Sequence, residues 1–204
     1  MSNIIDWIFE KLTDDEKAEL IRKVERITGD VMLSEIGNGY VFKIGDIEFV
    51  KFSDNDGVTT AVAKDVVFES EFGDSNNLAE SKVIERMKNE FLPKITAIVG
   101  IENVCVINTD LTTLDGLKTY GEMETFISIP TMDFYRENVA IFDKYKLAKW
   151  WWLATPFSVQ PHYDSTSVVC VSPSGSLRNI NYDSYGGVRP FLRFVSSIFV
   201  SRVK

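Results

Sequence analysis

The chain has 204 residues, 45% of them hydrophobic, 12% aromatic and 25% charged, which is enough to bury a sizeable core and too apolar for a disordered or collagen-like chain. With 22 basic against 30 acidic residues its formal net charge is −8, which argues against general binding to a nucleic-acid backbone and favours a neutral or basic partner. No apolar run of about 18 residues is present, and the N-terminus lacks a basic segment followed by an apolar one. The sequence therefore predicts no membrane span, no signal peptide and a cytoplasmic or virion-associated protein.

Elements follow in chain order. Ile4, Ile5, Trp7, Ile8, Phe9 and Leu12 are spaced for a short helix over 3–12 with a wide apolar face. Thr13-Asp14-Asp15-Glu16 reads as a capping box, with two carboxylates in the dipole-positive first turn. Leu20, Ile21, Val24 and Ile27 then line one face, and Gly29 offers a stop. Residues 1–30 are thus read as a helical pair that either packs on the domain over 31–204 or joins copies of the chain through residues 3–27.

From Val31 the period changes to two. Tyr40–Ile44 and Ile47–Phe52 flank Gly45-Asp46 as a hairpin, and Asp54-Asn55-Asp56-Gly57 is the next turn, explained without any ion. Val58–Phe68 is a third apolar run. Leu78–Phe91 returns to helical spacing, with Pro93 just past its end, and a short helix is expected over 94–100. Val104–Asn108 reads as a strand, 109–124 as a polar insertion, Phe126–Pro130 as a strand, and Thr131 as the N-cap of a short helix. From Trp150 onward the character is all β, with polar loops at 157–165 and 181–187. Helices early and strands throughout, without regular alternation, make the class α+β.

Chemistry is limited by residue supply. One histidine, His162, serves the whole chain, which removes imidazole metal clusters and most hydrolytic triads. No Cys-x-x-Cys and no phosphate-binding glycine loop is present. Cys105 and Cys170 sit inside apolar β runs and are expected to be buried free thiols. No cofactor, no metal and no enzymatic activity are expected.

Trp150-Trp151-Trp152-Leu153-Ala154-Thr155-Pro156 holds three of the four tryptophans. In a strand they alternate faces, so Trp151 points away from Trp150 and Trp152, and one face is expected to lie in the core while another meets a surface. Downstream come Gly175 and Gly187-Val188-Arg189-Pro190. These residues resemble a domain shared by bacterial and bacteriophage proteins, marked by Trp-Trp-Leu-Arg-Ser-Pro, a Ser/Asp-Gly turn and Gly-Val-Arg-Pro. Phe49–Phe52, Asp74-Ser75-Asn76-Asn77 with Ser81, Asn89–Leu92 and Phe126–Ile129 are similar to its upstream segments. The likeness spans roughly 37–200, and Ala154 replaces the family's arginine.

The resemblance implies a C-type-lectin-like fold, the scaffold of formylglycine-generating enzymes and of the variable proteins of diversity-generating retroelements. In the latter, codons for Asn, Tyr, Asp, Ser and His are rewritten at adenines in a displayed terminal segment. His162, Tyr163, Asp164, Ser165, Asn179, Asn181, Tyr182, Asp183, Ser184 and Tyr185 have that composition. It is also the composition of any paratope, in which tyrosine gives contact area and short polar groups give adaptable hydrogen bonds. Together with Trp150 and Trp152 they form the expected ligand surface, while Trp151 and Arg189 are expected to be structural, with Arg189 pinning carbonyls. Gln160-Pro161-His162 only echoes a lectin calcium motif, and no Trp-Asn-Asp accompanies it. The reading is a non-enzymatic module for a protein or surface-glycan ligand. The alternative is an acidic, phage-encoded inhibitor that occludes a basic nucleic-acid-binding host protein.

Overall fold

A computed structural model describes residues 11–28, 30–160 and 164–203. The helix expected over 3–12 falls, apart from its last two residues, outside them, as do His162 and Tyr163. In chain order the strands are β1 (Asp30–Met32), β2 (Val41–Ile44), β3 (Ile47–Asn55), β4 (Val58–Ala63), β5 (Phe68–Glu71), β6 (Val104–Cys105) and β7 (Ile107–Asp110). They continue as β8 (Glu122–Thr125), β9 (Trp151–Pro156), β10 (Ser167–Val171), β11 (Leu177–Asn181), β12 (Tyr185–Val188), β13 (Phe191–Val195) and β14 (Phe199–Arg202). The helices are α1 (Asp14–Thr28), α2 (Lys82–Arg86), α3 (Leu92–Val99), α4 (Met132–Glu137) and α5 (Val139–Lys144). The molecule is α+β, mostly strands with a few short helices.

A seven-stranded antiparallel sheet runs β1-β14-β2-β3-β4-β13-β6, so the last strand is inserted between the first two. A five-stranded sheet runs β11-β10-β9-β12-β5, with β9 and β12 parallel and the other pairs antiparallel. β7 and β8 form a separate two-stranded ribbon. Alternation along β3, β4, β9 and β10 feeds two hydrophobic clusters. Phe49, Ala61, Trp152, Ala154 and Cys170 join the larger one, and Val50, Val62, Trp151, Leu153 and Val171 join the second, which α4 and α5 complete with Tyr135 and Phe142. Strands buried on both faces read as continuous apolar runs, and β9 is buried along its whole length.

The sequence rules act locally where they were strongest. Thr13 N–H donates to Glu16 Oε2 at 2.8 Å and Glu16 N–H to Thr13 Oγ1 at 3.4 Å, the reciprocal capping box. The two-residue Gly45-Asp46 turn joins β2 to β3, with Gly45 at φ 58°. β3 and β4 are joined by Asp56-Gly57, both at positive φ, so the second turn is tighter than the four-residue turn expected. Thr131 caps α4 by accepting from Phe134 N–H at 3.2 Å.

Other elements are redistributed. The run 58–68 divides into β4 and β5, which belong to different sheets, and 104–108 divides into β6 and β7 in the same way. Phe126–Pro130 is not a strand: Ser128 alone bridges Phe191, and the paired segment lies upstream at β8. The helix over 78–91 does not stop before Pro93. A π-turn at Met87–Phe91 connects α2 to α3, with Leu92 N–H bonded to Met87 O, and Pro93 lies in the first turn of α3 immediately after it. The loop expected over 181–187 instead contains β12.

Candidate functional site

The β10–β11 hairpin sets the geometry. Its register pairs Ser167 with Asn181, Val169 with Asn179 and Val171 with Leu177. Leu177, Asn179 and Asn181 therefore share one face of β11, while Ile180 and Tyr182 turn to the other and pack on the larger cluster. Exposed polar side chains interlock at the open end of this hairpin. Asp164 sits at φ 60°, and its two carboxylate oxygens accept separately from the Thr166 hydroxyl at 3.0 Å and Asn179 Nδ2 at 3.1 Å. Asn181 Nδ2 donates to Thr166 Oγ1 at 3.4 Å, and Asn181 Oδ1 accepts from Asp183 N–H at 3.3 Å. Ser184 N–H donates to the Asn181 carbonyl at 3.0 Å.

This surface rests on a buried support. Asn76, 1% exposed, donates to the carbonyls of Ser158 at 2.7 Å and Ser167 at 3.1 Å, so one amide ties both ends of the 158–167 loop. Its Oδ1 accepts from the Tyr120 hydroxyl at 2.8 Å. Ser158 Oγ donates to Asp115 Oδ2 at 2.8 Å, and the Thr113 hydroxyl donates to the other oxygen of the same carboxylate. Those bonds, Thr113 first and Ser158 second, hold the Asp115 carboxyl below its ordinary value. Sequence reading placed no role on Asn76 or Asp115. The signal available was the Asn76-Asn77 pair within the family likeness.

The expected ligand set is partly brought together. Asp164, Asn179, Asn181 and Asp183 are exposed and adjacent through the bonds above, and Ser165 and Ser184 are half-buried beside them. Tyr182 is half-buried, its backbone N–H donating to Thr166 O at 2.9 Å and its carbonyl accepting from Phe72 N–H at 2.8 Å. Tyr185 is 71% exposed but belongs to β12 opposite Glu71, apart from the interlocked group. Trp150 is 40% exposed, and its carbonyl accepts from Gly187 N–H at 2.8 Å. It precedes β9, whereas the Ser167–Asn181 pair lies beyond the far end of that strand, next to Pro156–Val168, so Trp150 does not join the polar group.

Trp152 corrects the sequence reading outright. It is 0% exposed, it donates from Nε1 to Ser70 O at 3.0 Å, and it meets Phe72 edge-on at 5.4 Å, so it belongs to the core rather than to a ligand surface. Trp151 is buried on the opposite face, against Tyr135 and Phe142. Arg189 is 1% exposed. It pins the Ala63 carbonyl at 2.9 Å through Nε and faces the rings of Trp151 and Phe142 at 4.8 and 5.3 Å. Burial pushes its pKa down to about 10, which leaves it charged at neutral pH.

Among the described residues no three His, Cys, Asp or Glu side chains converge as metal ligands, and no helix is long and apolar enough to cross a membrane. What the interlocked group offers is a set of amide, hydroxyl and carboxylate hydrogen-bonding atoms on the β10–β11 hairpin. In comparisons with known proteins, no family model, no curated protein and no solved structure matches the chain.

Proposed function

We propose that the protein is a non-enzymatic binding module that presents the Asp164–Asn179–Asn181–Asp183 surface, on a C-type-lectin-like scaffold, to a protein or surface-glycan ligand. The observation that carries this reading is the mutual hydrogen bonding of exposed polar side chains on a hairpin whose reverse side is core. Pre-ordering these groups before contact lowers the entropic cost of binding. A surface of short amide, hydroxyl and carboxylate side chains supplies the adaptable hydrogen bonding that a paratope uses.

The test is a triple substitution, N179A/N181A/D183A, compared with Y185A. The triple variant is expected to lose capture from host lysate and from a glycan array while its melting temperature stays within a few degrees of the parent. Capture unaffected by the triple variant would overturn the reading. Binding that weakens steeply with salt and is displaced by DNA or RNA would favour instead the acidic occluder of a basic host protein, for which the net charge of −8 speaks. If the surface is diversified by a retroelement, the codons for these positions fall in a near-repeat of the coding DNA differing only at template adenines.

A further inference from the structure

The β7–β8 ribbon leaves one edge of β7 unpaired. Leu111 N–H donates to Gly121 O at 3.0 Å, and the register sets Thr109 opposite Met123 and Ile107 opposite Thr125. Bonding residues alternate along an antiparallel ladder, so Ile107, Thr109 and Leu111 direct their backbone groups to β8, while those of Asn108 and Asp110 point away from it. Among the described residues no bond from another segment reaches the N–H or C=O of Asn108 or Asp110. An edge of this kind is a template for a further strand.

Beside that edge runs a groove of about 220 Å³ between β7 and the residues Ile129, Thr131, Phe134 and Phe191. The two phenyl rings, both half-buried, meet edge-on at 4.9 Å. A single water needs about 10–15 Å³, so the groove has room for an aliphatic side chain. The solvent face of the ribbon is anionic. Asp110 stands opposite Glu122 and Asn108 opposite Glu124, all four exposed, and no ion pair neutralises the three carboxylates among the described residues. The Thr112 hydroxyl and N–H both donate to Asp110 Oδ1 and hold that carboxyl below its ordinary value, with Lys118 acting only through space. Like charges placed directly opposite in a ladder repel, and a cation laid across them relieves that repulsion. A second copy of β7 would add carboxylates instead.

We propose that the β7 edge docks an extended basic segment of a partner protein by strand addition. Side chains of an added strand alternate between the two faces of β7: lysine or arginine lies over Asp110, Glu122 and Glu124, and the intervening apolar residues enter the groove floored by Phe134 and Phe191. The surface is distinct from the β10–β11 hairpin, so its failure leaves the reading of that hairpin untouched. The probe is a fluorescent octapeptide of alternating lysine and leucine with blocked ends, titrated into the full chain and followed by anisotropy. It is expected to bind saturably and to shift the backbone amide resonances of Asn108 and Asp110. A block isomer with the lysines first and the leucines last, and the alternating peptide N-methylated throughout, are each expected to bind at least roughly tenfold more weakly, because one loses the face pattern and the other the donors. D110N/E122Q/E124Q is expected to weaken binding by about tenfold and to flatten its salt dependence. N108P, which removes a donor that no ladder bond uses, is expected to abolish it. Absence of binding by the alternating peptide, equal binding of either control peptide, full binding by N108P, or shifts confined to the β10–β11 hairpin would overturn the proposal. A concentration-dependent dimer that N108P abolishes would place a second copy on the edge and overturn the choice of occupant. Should N108P fail to fold, the two control peptides and the amide shifts of the unaltered protein decide the matter.

Discussion

Gly186 owes its identity to one neighbour. A Cβ there would lie 2.6 Å from Trp152 Cε2, inside the ring's van der Waals envelope, and the ring is held by its bond to Ser70 O and by Phe72. Overpacking of this kind costs about 1–3 kcal/mol. G186A is expected to lower the unfolding free energy by that amount, read as a fall in the urea midpoint equal to the loss divided by an unchanged denaturant slope. The cysteines give a second residue-scale prediction. Burial pushes the Cys170 thiol up to about 12, while Cys105 is half-buried on the short edge strand β6. Native protein treated with a thiol-specific disulfide reagent at mild alkaline pH is expected to modify Cys105 first, and Cys170 only on unfolding. Titration of one thiol under native conditions and two in denaturant checks this.

At the scale of elements, a polar knot joins four segments. Lys51, 1% exposed on β3, donates to Leu33 O at 2.9 Å and to Asp54 Oδ2 at 2.7 Å. Asp54 also accepts from Thr59 on β4 at 3.2 Å and from Ser196, after β13, at 2.9 Å. Burial opposes ionisation of Asp54, but the bonds from Lys51, Ser196 and Thr59 outweigh it and hold the carboxyl below its ordinary value. Because the folded value is the lower one, this contribution is complete above about pH 4 and disappears as pH falls through the folded value. D54N is expected to flatten the acid limb of the stability curve. D54A, which strips the buried ammonium of its counter-ion, is expected to cost on the order of 3 kcal/mol. Chemical denaturation across the acid range measures both.

On the scale of the whole molecule, chain closure dominates. β14 lies inside the seven-stranded sheet, bonded to β1 on one side and β2 on the other, so residues separated by nearly the full sequence share a ladder. Deleting residues 199–204 would leave two unpaired edges in place of two ladders. The truncated chain is expected to lose its cooperative thermal transition and aggregate, which calorimetry and light scattering would show. Contacts of such sequence separation also predict slow folding, because loop closure must precede their gain.

Short-range chemistry is legible in the order of residues alone. It specified the capping box at Thr13 and Glu16, the β2–β3 hairpin, the N-cap at Thr131, the burial of Trp151 and Arg189, and the α+β class, since each depends on residues within a turn or on an apolar pattern that only a core can satisfy. Tertiary structure decided what depends on partners distant in the chain. Trp152 and Gly186 look like an exposed indole and a loop glycine until each is seen to fill the other's space. The runs 58–68 and 104–108 look continuous until two sheets divide them. Asn76 is an ordinary loop residue until the carbonyls of Ser158 and Ser167 arrive at its amide. The polar residues of the 157–187 region were legible as a group by composition. Which of them meet was fixed by the β10–β11 register, which brings Asp164, Asn179, Asn181 and Asp183 together and leaves Trp150 at the opposite end of β9.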